Sequence, residues 1–136
     1  MPGFVDLHTH LREPGFEASE TVLTGSQSAA TGGYTAVLAM ANTFPVADNE
    51  AVVEQVMELG EAAGYVDVQP IGAVTKGLEC GELSDIRRMS ESKASVRVFS
   101  DDGMCVHDAS LMEQALNEVK KFGGVIAQHA QDPKLT

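Results

Sequence analysis

The stretch Asp6-Leu7-His8-Thr9-His10-Leu11-Arg12-Glu13-Pro14-Gly15 gathers two histidines, acidic residues and an arginine where an apolar β-strand ends. In an extended chain the side chains alternate between faces, so His8 and His10 share a face with Cβ atoms roughly 6.5–7 Å apart. Two imidazoles so placed can hold one metal ion. Arg12 falls on the same face one alternation further on, where its planar guanidinium can take a carboxylate through two hydrogen bonds. Pro14 and Gly15 end the strand and leave the polar cluster at its C-terminal tip. A lone histidine there would be an ordinary loop residue, but the His-x-His-x-Arg spacing argues for a binding site.

Outward from this segment, strand-like apolar runs recur at residues 4–7, 34–40, 66–71, 96–99 and 125–127, with centres about 30 residues apart, the length of a βα unit. Between them lie helical segments at 19–31, 49–63, 84–89 and 108–122. The second carries Val52, Val53, Val56, Met57 and Leu59 at helical spacing behind Asp48-Asn49, good N-cap residues. The fourth carries Leu111, Met112, Ala115, Leu116 and Val119, with Ser110 and Glu113 spaced as a capping box and Gly123-Gly124 as a stop. Gly32-Gly33 ends the first helix. Such stripes are core packing rather than a cofactor box.

Five strands alternating with helices and no hairpin signal predict a parallel sheet with right-handed crossovers, either an open doubly wound sheet or a TIM (β/α)8 barrel. No glycine-rich phosphate loop follows any strand, which disfavours the nucleotide-binding open sheets. Polar residues collect at strand ends as a barrel requires: His8, His10 and Arg12; Asn42 and Thr43; Thr75 and Lys76; Ser100, Asp101 and Asp102; His129. The fold class is therefore α/β, a partial barrel, because a complete one takes about 250 residues and this chain has 136.

Composition narrows the function. With 43% hydrophobic residues the chain can bury a core, and no apolar run approaches the roughly 18 residues that span a bilayer. A soluble cytoplasmic protein is expected, without a membrane. Nine Lys+Arg against 20 Asp+Glu give a net charge of −11, which would repel nucleic acid. Cys80 and Cys105 form no Cys-x-x-Cys pattern and read as reduced thiols. His107, in the loop before the fourth helix, reads as a solvated loop residue or a cap.

The segment Pro2-Gly3-Phe4-Val5-Asp6-Leu7-His8-Thr9-His10-Leu11-Arg12-Glu13-Pro14-Gly15 resembles the first-strand signature of the cyclic amidohydrolases, most closely of dihydroorotases. Met40-Ala41-Asn42-Thr43 is similar to that family's Met-Pro-Asn-Thr segment, with alanine for proline. Ser100-Asp101-Asp102-Gly103 resembles the bacterial long type, in which an aspartate stands where other members carry a carboxylated lysine. The resemblance covers residues 1–136 as one incomplete metal-dependent barrel domain. It lacks the small β part that precedes this segment in the family and strands six to eight that follow it.

The resemblance implies that His8, His10, Asp102 and His129 are metal ligands for one or two zinc ions. It makes Asp102 the catalytic bridge and turns Asp101 away from the metals. It gives Arg12 and Asn42 to the substrate carboxylate, Gln131 to an often acidic position near His129, and no role to Cys105. The implied activity is that of a hydrolase of pyrimidine biosynthesis, reversibly converting N-carbamoyl-L-aspartate to L-dihydroorotate. The general acid/base aspartate and a further histidine would belong to the missing strands, so the isolated chain is expected to be inactive. The alternatives are an allantoinase or dihydropyrimidinase, or a catalytically silent partner subunit beside aspartate transcarbamoylase. A small-molecule substrate is the expected partner, with a homo-oligomer or transcarbamoylase association possible; open edge strands would favour self-association.

Overall fold

Short parallel strands alternate with helices in the structure, a computed structural model that describes residues 1–135. The order is β1 (Phe4–Thr9), α1 (Val22–Thr31), β2 (Tyr34–Ala39), α2 (Glu50–Ala63), β3 (Asp67–Pro70), α3 (Ile86–Glu91), β4 (Val98–Phe99), α4 (Ala109–Lys120) and β5 (Val125–Ile126). A 3-10 turn, Lys76–Leu78, lies between β3 and α3. β1, β2 and β3 pair in parallel in that order, and β4 pairs with β5 in parallel. A parallel bridge between Gly72 and Phe99 joins the two groups, with Gly72 N–H donating to Val98 O at 3.1 Å and Ser100 N–H to Gly72 O at 2.9 Å. Strands thus follow one another across the sheet in chain order, each return made through a helix, and their C-terminal ends share one edge. An antiparallel bridge, Thr75 with Leu83, is confined to the loop after β3.

Helix starts follow side-chain capping. Thr21 accepts from Thr24 N–H while the Thr24 hydroxyl answers Thr21 N–H, so α1 begins at Val22 rather than Ser19. Asn49 caps α2 by accepting from Ala51 and Val52 N–H, and Gly64, at φ +70, ends it. The expected box of Ser110 and Glu113 does not form: Asp108 accepts from Leu111 N–H at 2.8 Å and is the cap, so α4 begins at Ala109, within the expected range. Leu111, Ala115 and Val119 of α4 are buried, but Leu116 is exposed. At 100° per residue Leu116 lies roughly 100° from the centre of that buried stripe, past the reach of the face α4 turns toward α3 and β5.

Two apolar clusters form the core. Leu11, Val22, Val37, Ala39, Val56 and Val68 pack α1 and α2 onto the first three strands. A larger cluster centred on Phe99, Val74, Ile86, Met89 and Val53 fills the space under α2, α3 and α4. Gly72 is required there, because a Cβ would stand 2.8 Å from the Phe99 ring. At the margins the pattern reverses: Phe4, Val5 and Leu7 on β1 and Val125 on β5 are each at least half exposed. Both edge strands therefore carry apolar side chains with unpaired backbone on their outer side. No described helix is long and apolar enough to cross a membrane.

Candidate metal and substrate site

The site lies along the C-terminal edge of the sheet. β1 ends at Thr9, whose hydroxyl donates to Leu38 O at 2.8 Å while Met40 N–H donates to Thr9 O at 2.8 Å. His8 is still in the strand and His10 is one residue past it, and their rings sit edge-on with centroids 5.2 Å apart. Arg12 does not continue this alternation. Leu11 turns into the core, and Arg12 adopts a left-handed backbone at φ +62, so a turn, not strand periodicity, sets where the exposed guanidinium goes. The turn is pinned at both ends: Glu13 accepts from Val22 N–H at 2.7 Å, and Pro14 O accepts from Phe44 N–H at 2.9 Å. Gly15 is at φ +107 with Phe44 O only 2.4 Å from where a Cβ would stand, so no other residue fits.

Asn42 follows β2 and turns its Oδ1 to His10 Nδ1 at 3.0 Å. With Nδ1–H donating to that amide oxygen, His10 presents the lone pair of Nε2, which lies 3.3 Å from Asp102 Oδ2. His8 Nε2 lies 3.4 Å from Asp102 Oδ1, and His129 Nδ1, just beyond β5, approaches the same oxygen at 3.2 Å. His129 Nε2 faces Gln131 Oε1 at 3.2 Å, so its other nitrogen too is left to meet the carboxylate as an acceptor when the ring is neutral. Asp102 is buried, with 8% of its surface exposed. Imidazole lone pairs aimed at a buried carboxylate repel it unless a proton or a cation stands between them.

The donor set fits a metal. Two ligands each roughly 2.0–2.1 Å from one tetrahedral ion stand about 3.4 Å apart. The His8 and His10 contacts to Asp102 have that span, and the three ligand atoms lie within 4.8 Å of one another. Imidazole nitrogen with carboxylate oxygen suits zinc and similar divalent ions.

The neighbouring aspartate does something else. Asp101 is 1% exposed and accepts from Val74 N–H at 2.7 Å, from Thr75 N–H at 3.0 Å and from the Thr75 hydroxyl. Gly103, at φ +83, then turns the chain away from β4. The sequence pattern alone had not singled out Thr75 as Asp101's partner or Asn42 as His10's. His107 is exposed and lines a cavity of about 410 Å³ with Cys80, Cys105 and His129, and it is not among the residues gathered on Asp102. Cys105 Sγ meets Gln128 Nε2 at 3.5 Å.

The sequence matches the family described as Dihydro-orotase-like over residues 1–136. The chain belongs to that family. It is 68% identical over its whole length to the dihydroorotase of Streptomyces coelicolor and 66% to that of Leifsonia xyli subsp. xyli. It is 57% identical to the dihydroorotase of Mycobacterium tuberculosis. These matches take in 100% of this chain but 32%, 31% and 32% of the three relatives, so the chain spans about a third of their length. Within the dihydro-orotase-like family, then, it corresponds to a portion that includes the His8, His10, Asp102 and His129 cluster.

Proposed function

We propose that this chain is the metal-holding part of a dihydroorotase, a hydrolase of pyrimidine synthesis that reversibly converts N-carbamoyl-L-aspartate to L-dihydroorotate. The observation that carries the proposal is the convergence of imidazoles from the β1 and β5 ends on the buried Asp102 carboxylate, in a chain of this family. His8, His10 and His129 would hold one or two zinc ions with Asp102 between them. Zinc would supply Lewis acidity and a nucleophile at neutral pH. Asn42 orients His10 through Oδ1, and its amide nitrogen remains free to donate to a substrate carboxylate, which the Arg12 guanidinium would also pair. That pair favours a ring bearing a carboxylate over the carboxylate-free rings of an allantoinase or dihydropyrimidinase. The intact histidines speak against a catalytically silent partner of aspartate transcarbamoylase.

The architecture that suits this reading is the first five strands of a TIM barrel. Parallel strands in chain order and exposed apolar residues on β1 and β5 support it, since closure by further strands would bury those residues. A cytoplasmic setting and a small-molecule substrate follow from the same reading. The test is ring opening of dihydroorotate, allantoin and dihydrouracil by the complete protein, wild type beside His8→Ala. Turnover of dihydroorotate alone, lost in His8→Ala, is expected; preference for a ring without a carboxylate would overturn the substrate assignment.

A further inference from the structure

Asp101 is a buried carboxylate with no cation against it in the contacts above, yet it accepts three hydrogen bonds, all from Val74 and Thr75. Those residues follow β3, whereas Asp101 follows β4, so the carboxylate ties two strand ends together immediately beside Asp102. The Thr75 hydroxyl works in both directions, donating to Asp101 Oδ2 and accepting from Cys80 N–H at 3.1 Å. One side chain therefore also anchors the loop that runs past the cavity beside His129. The planar peptide between Asp101 and Asp102 leaves only ψ of Asp101 and φ of Asp102 as backbone torsions between the two residues, so pinning Asp101 narrows where the Asp102 carboxylate can sit.

Resting on the metal-site reading above, we infer that Thr75 and Asp101 are positioning residues: their hydrogen bonds hold Asp102 at the spacing from His8, His10 and His129 that a metal ion needs. A buried carboxylate left short of a donor pulls toward whatever donor it can find. Loss of the Thr75 hydroxyl would therefore shift the β4 end and spoil the Asp102 geometry, though neither residue touches the ion.

The experiment titrates the complete protein, stripped of metal, with Co²⁺ alone, reading the visible absorption of the bound ion and its dissociation constant, with the melting temperature of the metal-free protein recorded beside it. Thr75→Val should weaken binding on the order of 10–100-fold, as loss of an orienting partner does elsewhere, and Thr75→Ser should restore it. Ser84→Ala is the control, because Ser84 Oγ donates to Ala73 O at 2.6 Å in the same buried segment without contacting Asp101. Its melting temperature should fall while Co²⁺ affinity holds. Unchanged affinity in Thr75→Val, no rescue by serine, or an equal loss in Ser84→Ala would each overturn the inference. If His8→Ala binds Co²⁺ as the wild type does, the metal-site reading itself fails and takes this inference with it; if His8→Ala abolishes binding and Thr75→Val does not weaken it, the inference alone fails.

Discussion

Replacing Asn42 separates the two functions proposed above for one side chain. Its Oδ1 is 3.0 Å from His10 Nδ1 in a half-buried setting. Asn42→Ala removes the acceptor and leaves an imidazole N–H that water reaches only in part. A fully buried orphan donor costs about 1–3 kcal/mol, so a half-buried one belongs near 1.4 kcal/mol, a factor of about ten in metal affinity. That lies at the lower end of the 10–100-fold typical for partners of metal-bound histidines. Asn42→Asp keeps an oxygen against Nδ1 and should hold Co²⁺ within about threefold of wild type, since carboxylate and amide oxygens both accept from this nitrogen. The same aspartate would repel a carboxylate-bearing substrate, so in the complete enzyme Asn42→Asp should raise KM for dihydroorotate while the metal stays bound. Calorimetric titration of Co²⁺ into the three chains decides the matter. If Asn42→Ala binds as tightly as the wild type, the hydrogen bond does not orient His10 and Asn42 serves the substrate alone.

Gly15→Ala should lower the melting temperature through about 1–3 kcal/mol of backbone strain plus the clash with Phe44 O, measured by thermal circular dichroism. Phe99→Ala, at the centre of the larger core, should cost about 3–5 kcal/mol in urea unfolding. Val5→Lys with Leu7→Lys should leave stability within about 0.5 kcal/mol, because both side chains already stand in solvent, and should reduce concentration-dependent association in sedimentation. Finally, the 136-residue chain with added zinc should show no dihydroorotate turnover beside a full-length relative. Residues that act as a unit fail together, and a proton-transfer group is worth ~10²–10⁴-fold on its own. Turnover that disappears in His8→Ala would place the proton-transfer group within this chain.

The order and direction of the elements were legible because each signal is local. Val52, Val53 and Val56 mark the buried face of α2 at helical spacing, and about 30 residues between strand starts leave room only for a crossover helix, which makes neighbouring strands parallel. His8 and His10 were legible for the same reason, being two residues apart on one strand. Asp102 and His129 are brought in by β4 and β5, and nothing in their immediate surroundings joins them to β1; only the resemblance to a known family connected them. Arg12 was singled out, but its departure from the strand's alternation was not, because a left-handed backbone at a residue other than glycine leaves no mark in a hydrophobic pattern. The cap of α4 was misassigned because Asp108 and Ser110 are both good caps two residues apart, and Leu111 N–H reaches Asp108.

Asp101 and Asp102 are the clearest instance of what alternation decides and composition does not. Two identical side chains stand side by side, one clamped among backbone donors and the other turned to three histidines. The phase comes from Phe99, which is wholly buried in the core at the end of β4. A period of two carried past the strand end puts Asp101 on the Phe99 side and Asp102 on the opposite one. The burial need of Phe99 therefore selects which aspartate meets the histidines. Deleting Ser100, which separates Phe99 from the pair, would exchange the two faces, setting Asp102 into the clamp and leaving Gly103, which has no side chain, where Asp102 now meets the histidines.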